Sequence, residues 1–86
     1  MTHHTSSRFW VRYETLPAAV RTQADKQFAL LKANPSHPSL RLKKVGKFWS
    51  ARVDAEIRAL AVQIEDTLVW FWIGDHREYD RLIKKG

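Results

Sequence analysis

Residues 48–74, FWSARVDAEIRALAVQIEDTLVWFWIG, decide the fold of this 86-residue chain. The stretch contains three runs rich in aromatic and aliphatic side chains, at residues 48–53, 57–64 and 67–73, and short polar turns separate them. Runs of this length and composition between turn signals are typical of β-strands that are joined by hairpins. The sequence therefore predicts three antiparallel strands that follow one another in a meander.

Two further strands and two helices are predicted on either side of this stretch. A strand at residues 40–44 precedes it, and an N-terminal strand is predicted at residues 9–13. Between these strands a helix begins at Thr15 and Pro17 and ends near Asn34, because a proline disfavours helical geometry in the residue before it.

After the last strand, Asp75 and Glu78 have the spacing of a capping box and open a C-terminal helix that runs to Lys85. The predicted fold class is α+β, with the order β-α-β-β-β-β-α. An antiparallel meander sheet carries the N-terminal strand, one helix after it and the C-terminal helix.

Length, charge and cysteine content exclude several classes of protein. A chain of 86 residues forms one small domain, which we assign to residues 8–86 with a flexible leader at residues 1–7. The chain has no cysteine, which excludes disulfides and thiolate metal sites, and His37 and His76 lack zinc-site spacing, so no metal or cofactor is expected. Because no apolar run is long enough to span a bilayer and residues 1–7 lack a signal-peptide pattern, we expect a cytoplasmic protein.

The net charge of +6 is concentrated in the middle of the chain, which favours a polyanionic or acidic partner. Alternate residues of a strand point to opposite faces, so a count along the hairpins assigns each side chain to a face. This count sets Arg52 opposite Arg58, and it places Arg41 and Lys43 on the same face, with Lys43 opposite Phe48. The other face takes the residues expected in the core, with Ala59 opposite Trp72: Leu42, Trp49, Ala51, Ala59, Ala61, Trp70 and Trp72.

Like charges that face each other on a sheet destabilise it unless an anion lies between them. We therefore predict a phosphodiester site at Arg52 and Arg58, where the C-terminal helix begins with His76. Arg41, Lys43, Lys44 and Lys47 are predicted to form an electrostatic track for nucleic acid, and Arg77 is assigned to the same binding set. The alternative interpretation of the track is a solvated edge strand that its charges protect from aggregation.

His76 and Tyr79 lie three residues apart, on one face of the predicted C-terminal helix. Imidazole is the side chain most easily set for proton transfer near neutral pH, and a phenol beside it supplies a second acid or a surface on which a base stacks. Both residues are therefore candidate catalytic groups. The alternative is that they only cover the sheet edge near Leu82 and Ile83.

Three segments of the sequence resemble the RelE/ParE superfamily of bacterial toxins: Phe48-Trp49-Ser50-Ala51-Arg52-Val53, Ile57-Arg58-Ala59-Leu60-Ala61-Val62 and Val69-Trp70-Phe71-Trp72-Ile73-Gly74-Asp75-His76-Arg77. The helix that ends at Asn34-Pro35, followed by Leu42-Lys43-Lys44-Val45, is similar as well. The resemblance covers about residues 9–84. It implies a toxin of a toxin-antitoxin pair, with a cognate antitoxin as its partner.

Two activities occur in this superfamily, and we expect that of the RelE-like branch, with that of the ParE-like branch as the alternative. The RelE-like branch implies ribosome-dependent mRNA cleavage, by metal-free attack of a 2′-hydroxyl on the adjacent phosphate. The ParE-like branch implies inhibition of DNA gyrase without nuclease activity. A third possibility, from the residues alone, is a basic binding module without catalysis.

The resemblance also assigns site residues. Arg58 matches the arginine of the family's Tyr-Arg-Leu-Val strand, Arg52 and Lys43 match its basic strand residues, and His76 matches the His or Arg after the last strand. Tyr79 lies closer to His76 than the family's terminal tyrosine lies to the equivalent residue.

Overall fold

The structure is a computed structural model that describes residues 2–85. Five strands are present, and they are β1 (Thr2–Thr5), β2 (Lys43–Val45), β3 (Phe48–Arg52), β4 (Ile57–Ile64) and β5 (Thr67–Asp75). The helices are α1 (Ser7–Tyr13), α2 (Ala18–Ala33) and α3 (His76–Lys85), with a short 3-10 helix at Pro38–Leu40. The strands form one sheet in the order β1-β5-β4-β3-β2, in which β2 to β5 are antiparallel and β1 is parallel to β5. The predicted α+β class and meander are confirmed.

The predicted N-terminal strand at residues 9–13 is wrong, because these residues form α1. Ser6 caps this helix by accepting a hydrogen bond from the backbone N–H of Phe9, and the four-residue spacing of Phe9 and Tyr13 places both rings against the core. The N-terminal strand lies instead at Thr2–Thr5, where a flexible leader was expected. Burial of one helix face has therefore outweighed the strand preference of the aromatic and β-branched residues.

The turn between β2 and β3 lies one residue later in the chain than the sequence predicted. Val45 pairs with Phe48, so the turn lies at Gly46-Lys47, and Gly46 adopts the left-handed backbone (φ 61°) that such a turn requires. Lys43 consequently pairs with Ser50 rather than with Phe48. The pairing partner of each residue thus changes by two positions, and because side chains alternate between faces, every side chain stays on its predicted face.

A β-bulge separates the two halves of the β4–β5 pair. Ala61 pairs with Trp70 as predicted, but Leu60 pairs with Trp72, so Phe71 is the extra residue. The bulge reverses the faces of the residues that follow it. Trp72 therefore packs on the α3 side of the sheet, and Ile73 takes the predicted place of Trp72 opposite Ala59.

The sheet separates two hydrophobic clusters. The larger one lies against α1 and α2 and includes Phe9, Leu31 and Trp70. The smaller one lies against α3 and is built on Leu60, Trp72 and Tyr79, with partly buried residues around them: Phe48, Phe71, Leu82 and Ile83. Within residues 2–85 no helix has the length and apolar character needed to cross a membrane.

Candidate active site

A polar cleft of about 220 Å³ lies where β3 and β4 end and α3 begins. It is lined by Arg41, Lys43, Ser50, Arg52, Arg58, His76, Tyr79 and Asp80. Four of these side chains are permanently cationic near neutral pH, and Asp80 supplies the one carboxylate among them. The electrostatic character of the cleft therefore favours an anionic ligand.

The register of β3 and β4 fixes the two central cations. Arg52 and Arg58 are Cα partners, as the sequence predicted, and both side chains are half-buried. Their guanidinium groups converge on the carbonyl oxygen of Asp54, to which Arg58 Nη1 donates at 2.6 Å and Arg52 Nε donates at 3.4 Å. A carbonyl oxygen orients both groups without neutralising their charge.

The turn before β4 contains two carboxylates, and neither forms an ion pair with these arginines within the described part of the chain. Asp54 Oδ1 instead accepts hydrogen bonds of 2.8 Å from the backbone N–H groups of Glu56 and Ile57, which closes the turn. Because its carboxylate is used in this way, Asp54 shapes the loop that holds Arg52 and Arg58 and leaves their charges unpaired.

His76 is held by the same turn. Its backbone N–H donates to the carbonyl oxygen of Glu56 (2.8 Å), and Oε2 of Glu56 lies 3.1 Å from its Nδ1. The pair does not have hydrogen-bond geometry, so this buried ring nitrogen has no hydrogen-bond partner among residues 2–85. A hydrogen bond from Nδ1–H to a carboxylate at this place would fix the imidazole tautomer.

Asp75 caps the helix that carries His76, as the sequence predicted. Its Oδ1 accepts hydrogen bonds from the backbone N–H groups of Glu78 and Arg77. The hydrogen bond from Glu78 is the main reason that the pKa of the Asp75 carboxyl lies below its usual value. The side chain of Glu78 does not complete a capping box, because it pairs with Arg12.

Tyr79 contributes to the cleft mainly as a wall. The residue is 7% exposed and packs with Leu60 and Trp72 in the smaller hydrophobic cluster. Its ring therefore belongs to the core of the α3 side, while one side of it faces the cleft. This packing agrees with the covering interpretation of Tyr79, and its catalytic role stays a prediction.

The predicted nucleic-acid track is divided between two surfaces. Arg41 and Lys43 line the cleft, although Arg41 lies outside any strand, in a left-handed conformation (φ 45°) after the 3-10 helix. Lys44 and Lys47 line a separate shallow cleft beside Phe48 and Val62. Arg77 is exposed on α3 and does not line either cleft.

Three residues at this end of the sheet were missed by sequence reasoning. Glu56, Ser50 and Asp80 were not among the predicted site residues. Asp80 lies four residues after His76, so the helical period that joined His76 to Tyr79 was a signal for Asp80 as well. No comparable signal existed for Glu56, since its contact with His76 depends on the turn geometry. Residues 2–85 contain no group of three His, Asp or Glu side chains arranged to hold a metal ion.

Comparison by sequence finds no matching family model and no matching curated protein. Comparison of structures finds bacterial and archaeal toxins. A chain of the RelB-RelE antitoxin-toxin complex from Methanococcus jannaschii is similar with a TM-score of 0.71 and 14% identity, over 91% of this chain and 96% of that chain. A mutant of E. coli toxin RelE in the free state gives a TM-score of 0.65 and 14% identity, over 98% of this chain and 95% of that one.

A YoeB/ParE toxin from Agrobacterium tumefaciens is also similar, with a TM-score of 0.64 and 17% identity, over 88% of this chain and 99% of that chain. At these identities the likeness is one of fold. The chain has the RelE-like toxin fold over nearly its whole length.

Proposed function

We propose, from this RelE-like fold, that the protein is the toxin of a toxin-antitoxin pair and that it cleaves mRNA on the ribosome without a metal ion. The observation that supports this most directly is the pair Arg52 and Arg58. The two guanidinium groups lie opposite each other at the cleft beside His76, with no carboxylate paired to either within residues 2–85. Guanidinium groups in this arrangement suit the oxygens of a phosphodiester.

The chemistry requires little beyond these groups. The 2′-oxygen bonds to the adjacent phosphorus while the bond from phosphorus to the 5′-oxygen breaks, which leaves a cyclic phosphate and a 5′-hydroxyl. Arg52 and Arg58 stabilise the negative charge that develops on the phosphorane. His76 carries one of the two proton transfers, either from the 2′-hydroxyl or to the leaving 5′-oxygen.

The remaining residues of the cleft have supporting roles in this proposal. Glu56, whose Oε2 lies 3.1 Å from Nδ1 of His76, is assigned the role of orienting the imidazole. Tyr79 forms the wall on which a base rests, and Arg41 and Lys43 hold the neighbouring backbone of the RNA. Lys44, Lys47 and Arg77, which lie outside this cleft, are assigned to more distant phosphates of the message or of ribosomal RNA.

The partner that we propose for the basic cleft is an antitoxin with an acidic segment. Charge complementarity favours such a segment over the cleft, where it would occupy the site that mRNA needs. Three similar structures are described as complexes of a toxin with its antitoxin, from Methanococcus jannaschii, E. coli and Mycobacterium tuberculosis. Action on ribosomes would place the protein in the cytoplasm.

Purified protein incubated with ribosomes and a defined mRNA tests the proposal. Wild-type protein should cut the message, and His76→Ala should be slower by at least about 100-fold, the lower bound for a positioned proton transfer. A loss below tenfold would remove His76 from the chemistry. If wild-type protein leaves mRNA intact but induces gyrase-linked DNA breaks in cells, the gyrase-inhibitor alternative replaces the nuclease. If it does neither, the non-catalytic binding module replaces both.

A further inference from the structure

Arg12 reaches from α1 around the edge of the sheet to the start of α3. Its Nε–H donates to the carbonyl oxygen of Ile73 at 2.9 Å, and its Nη2 pairs with Oε2 of Glu78 at 2.8 Å. The guanidinium also lies 5.1 Å from the centre of the Trp72 ring. One side chain thus contacts residues both before and after His76 in the chain.

The sheet edge explains why an arginine is needed at this place. Strand β1 pairs with Thr67–Trp70 and leaves the second half of β5 without a neighbouring strand on that side. Arg12 supplies the hydrogen-bond donor for Ile73 that a further strand would otherwise supply. The space around it is filled, since a Cβ atom placed on Gly74 would lie 3.0 Å from Arg12 Nη2 and 2.6 Å from the Trp72 ring.

We propose that Arg12 is a positioning residue for His76, acting from outside the cleft through Ile73 and Glu78. The inference rests on the proposed function, because that function gives His76 its proton transfer. The junction between β5 and α3 is fixed by Asp75 and by Glu56 on the cleft side, and Arg12 fixes its other side.

The exposure of the Arg12–Glu78 pair makes this role separable from a purely structural one. The two side chains are 39% and 48% exposed, and ion pairs that are this exposed to solvent contribute little to stability. A displacement of about 1 Å at a reacting group, in contrast, can cost about 100-fold in rate. Loss of Arg12 should therefore reduce catalysis far more than it reduces folding stability.

The test compares Arg12→Gln, Arg12→Lys and Glu78→Gln with the control Arg21→Gln. Arg21 is a similarly exposed arginine on α2 whose contact with Glu14 is longer, at 3.9 Å. We expect Arg12→Gln to lower kcat on mRNA-programmed ribosomes by about tenfold or more, with KM within about twofold. Tm should fall only slightly, since the hydrogen bond to Ile73 and the contact with Trp72 are lost together with the exposed ion pair. Arg12→Lys should be intermediate, because an ammonium group keeps the charge but cannot reach both Ile73 and Glu78 with a planar fork.

A second measurement does not depend on activity. The ring ¹H and ¹³C chemical shifts of His76 in the free protein should move in Arg12→Gln and Glu78→Gln and stay constant in Arg21→Gln. Unchanged ring shifts, or a kcat equal to that of the control, would overturn the inference. If wild-type protein does not cleave mRNA, the proposed function fails, and the ring shifts still decide whether Arg12 positions His76.

Discussion

Arg52 and Arg58 face each other across β3 and β4, and both guanidinium groups donate to the same carbonyl oxygen, that of Asp54. A guanidinium has five N–H donors, so this shared acceptor orients each group and leaves donors available for a ligand. The protein thereby tolerates two like charges at one register position because a neutral oxygen lies between them. The same arrangement would hold two donors ready for a phosphate.

Removal of both arginines should weaken RNA binding and its dependence on salt. For single-stranded RNA, Arg52→Ala/Arg58→Ala should reduce the slope of log K against log salt concentration by about 1.4, since each neutralised phosphate contributes about 0.7. Fluorescence anisotropy across a salt series measures the slope. The matched control is Arg21→Ala/Lys26→Ala on α2, which removes the same charge elsewhere. Equal slopes in the two double variants would show that the effect is one of net charge and not of this site.

Replacement of Glu56 by glutamine should slow mRNA cleavage less than His76→Ala does, because Glu56 acts through the imidazole and is itself largely exposed. We expect a loss of about tenfold, below the range of about 10²–10⁴ that a proton-transfer group contributes. The double variant Glu56→Gln/His76→Ala should be no slower than His76→Ala alone, since residues that act as a unit are not additive. Single-turnover kinetics measures the cleavage rate of each variant. An additive double variant, or an equal loss in the turn control Glu65→Gln, would contradict the role.

Acidification should destabilise the β1 end of the sheet through His3. Its Nδ1 accepts a hydrogen bond of 3.1 Å from Trp70 Nε1–H, which requires a neutral ring. Burial is the main cause that lowers the pKa of His3 below its usual 6.5, and the positive charges of the chain's N-terminus and then of Lys32 lower it further. Between the lowered value and 6.5 the unfolded chain binds more protons than the folded one, so stability rises with pH through this window and is lost as the pH falls.

Thermal unfolding measured at several pH values tests this effect of His3. His3→Asn keeps an acceptor within reach of Trp70 but does not titrate, so its Tm should fall less on acidification than that of wild type. His4→Asn, one residue away and exposed, is the control and should follow the wild-type curve. Parallel curves for His3→Asn and wild type would show that His3 makes no contribution to the pH dependence.

A methyl group added at Gly74 should destabilise the protein by about 1–3 kcal/mol, the usual cost of overpacking. Its Cβ would lie 2.6 Å from Trp72 Cζ2 and 2.9 Å from Cη2, and the Trp72 ring is buried, which restricts its relaxation. Trp72→Phe removes the ring atoms concerned, so the double variant Gly74→Ala/Trp72→Phe should be more stable than the sum of the two single effects indicates. Urea unfolding measures all three variants. Strict additivity would mean that the contact with Trp72 is not the cause.

The hairpins that join β3, β4 and β5, and the site that they create, could be predicted from the sequence because turns and helix caps are determined by neighbouring residues. Turn lengths fixed the pairing of Arg52 with Arg58, and the cap at Asp75 fixed the start of the helix that carries His76. The face of Trp72 was not accessible, because a bulge at Phe71 shifts every later residue by one and no Gly marks it. The identity of β1 was hidden for another reason, since its pairing partner lies more than sixty residues away in the chain.

The contact of Glu56 with His76 was inaccessible for a similar reason. It depends on a three-dimensional approach of a loop to a helix end, and alternation along a strand carries no information about such an approach. The contacts of Arg12, on the other side of the junction between β5 and α3, could not be predicted for the same reason. Its partners Ile73 and Glu78 are separated from it by most of the chain, and no periodicity in α1 points to them.

The parallel pairing of β1 with β5 joins two segments of the chain that are synthesised more than sixty residues apart. Thr2 bonds to Thr67 through their hydroxyl groups, across a sequence separation of 65 residues. The nascent β1 segment leaves the exit tunnel early and has no sheet neighbour until Thr67–Trp70 follow it. Because β5 also leads directly into His76, the last sheet contact and the helix that carries His76 become available almost together. A truncated nascent chain that stops before β5 therefore has the cationic strands but not the completed cleft.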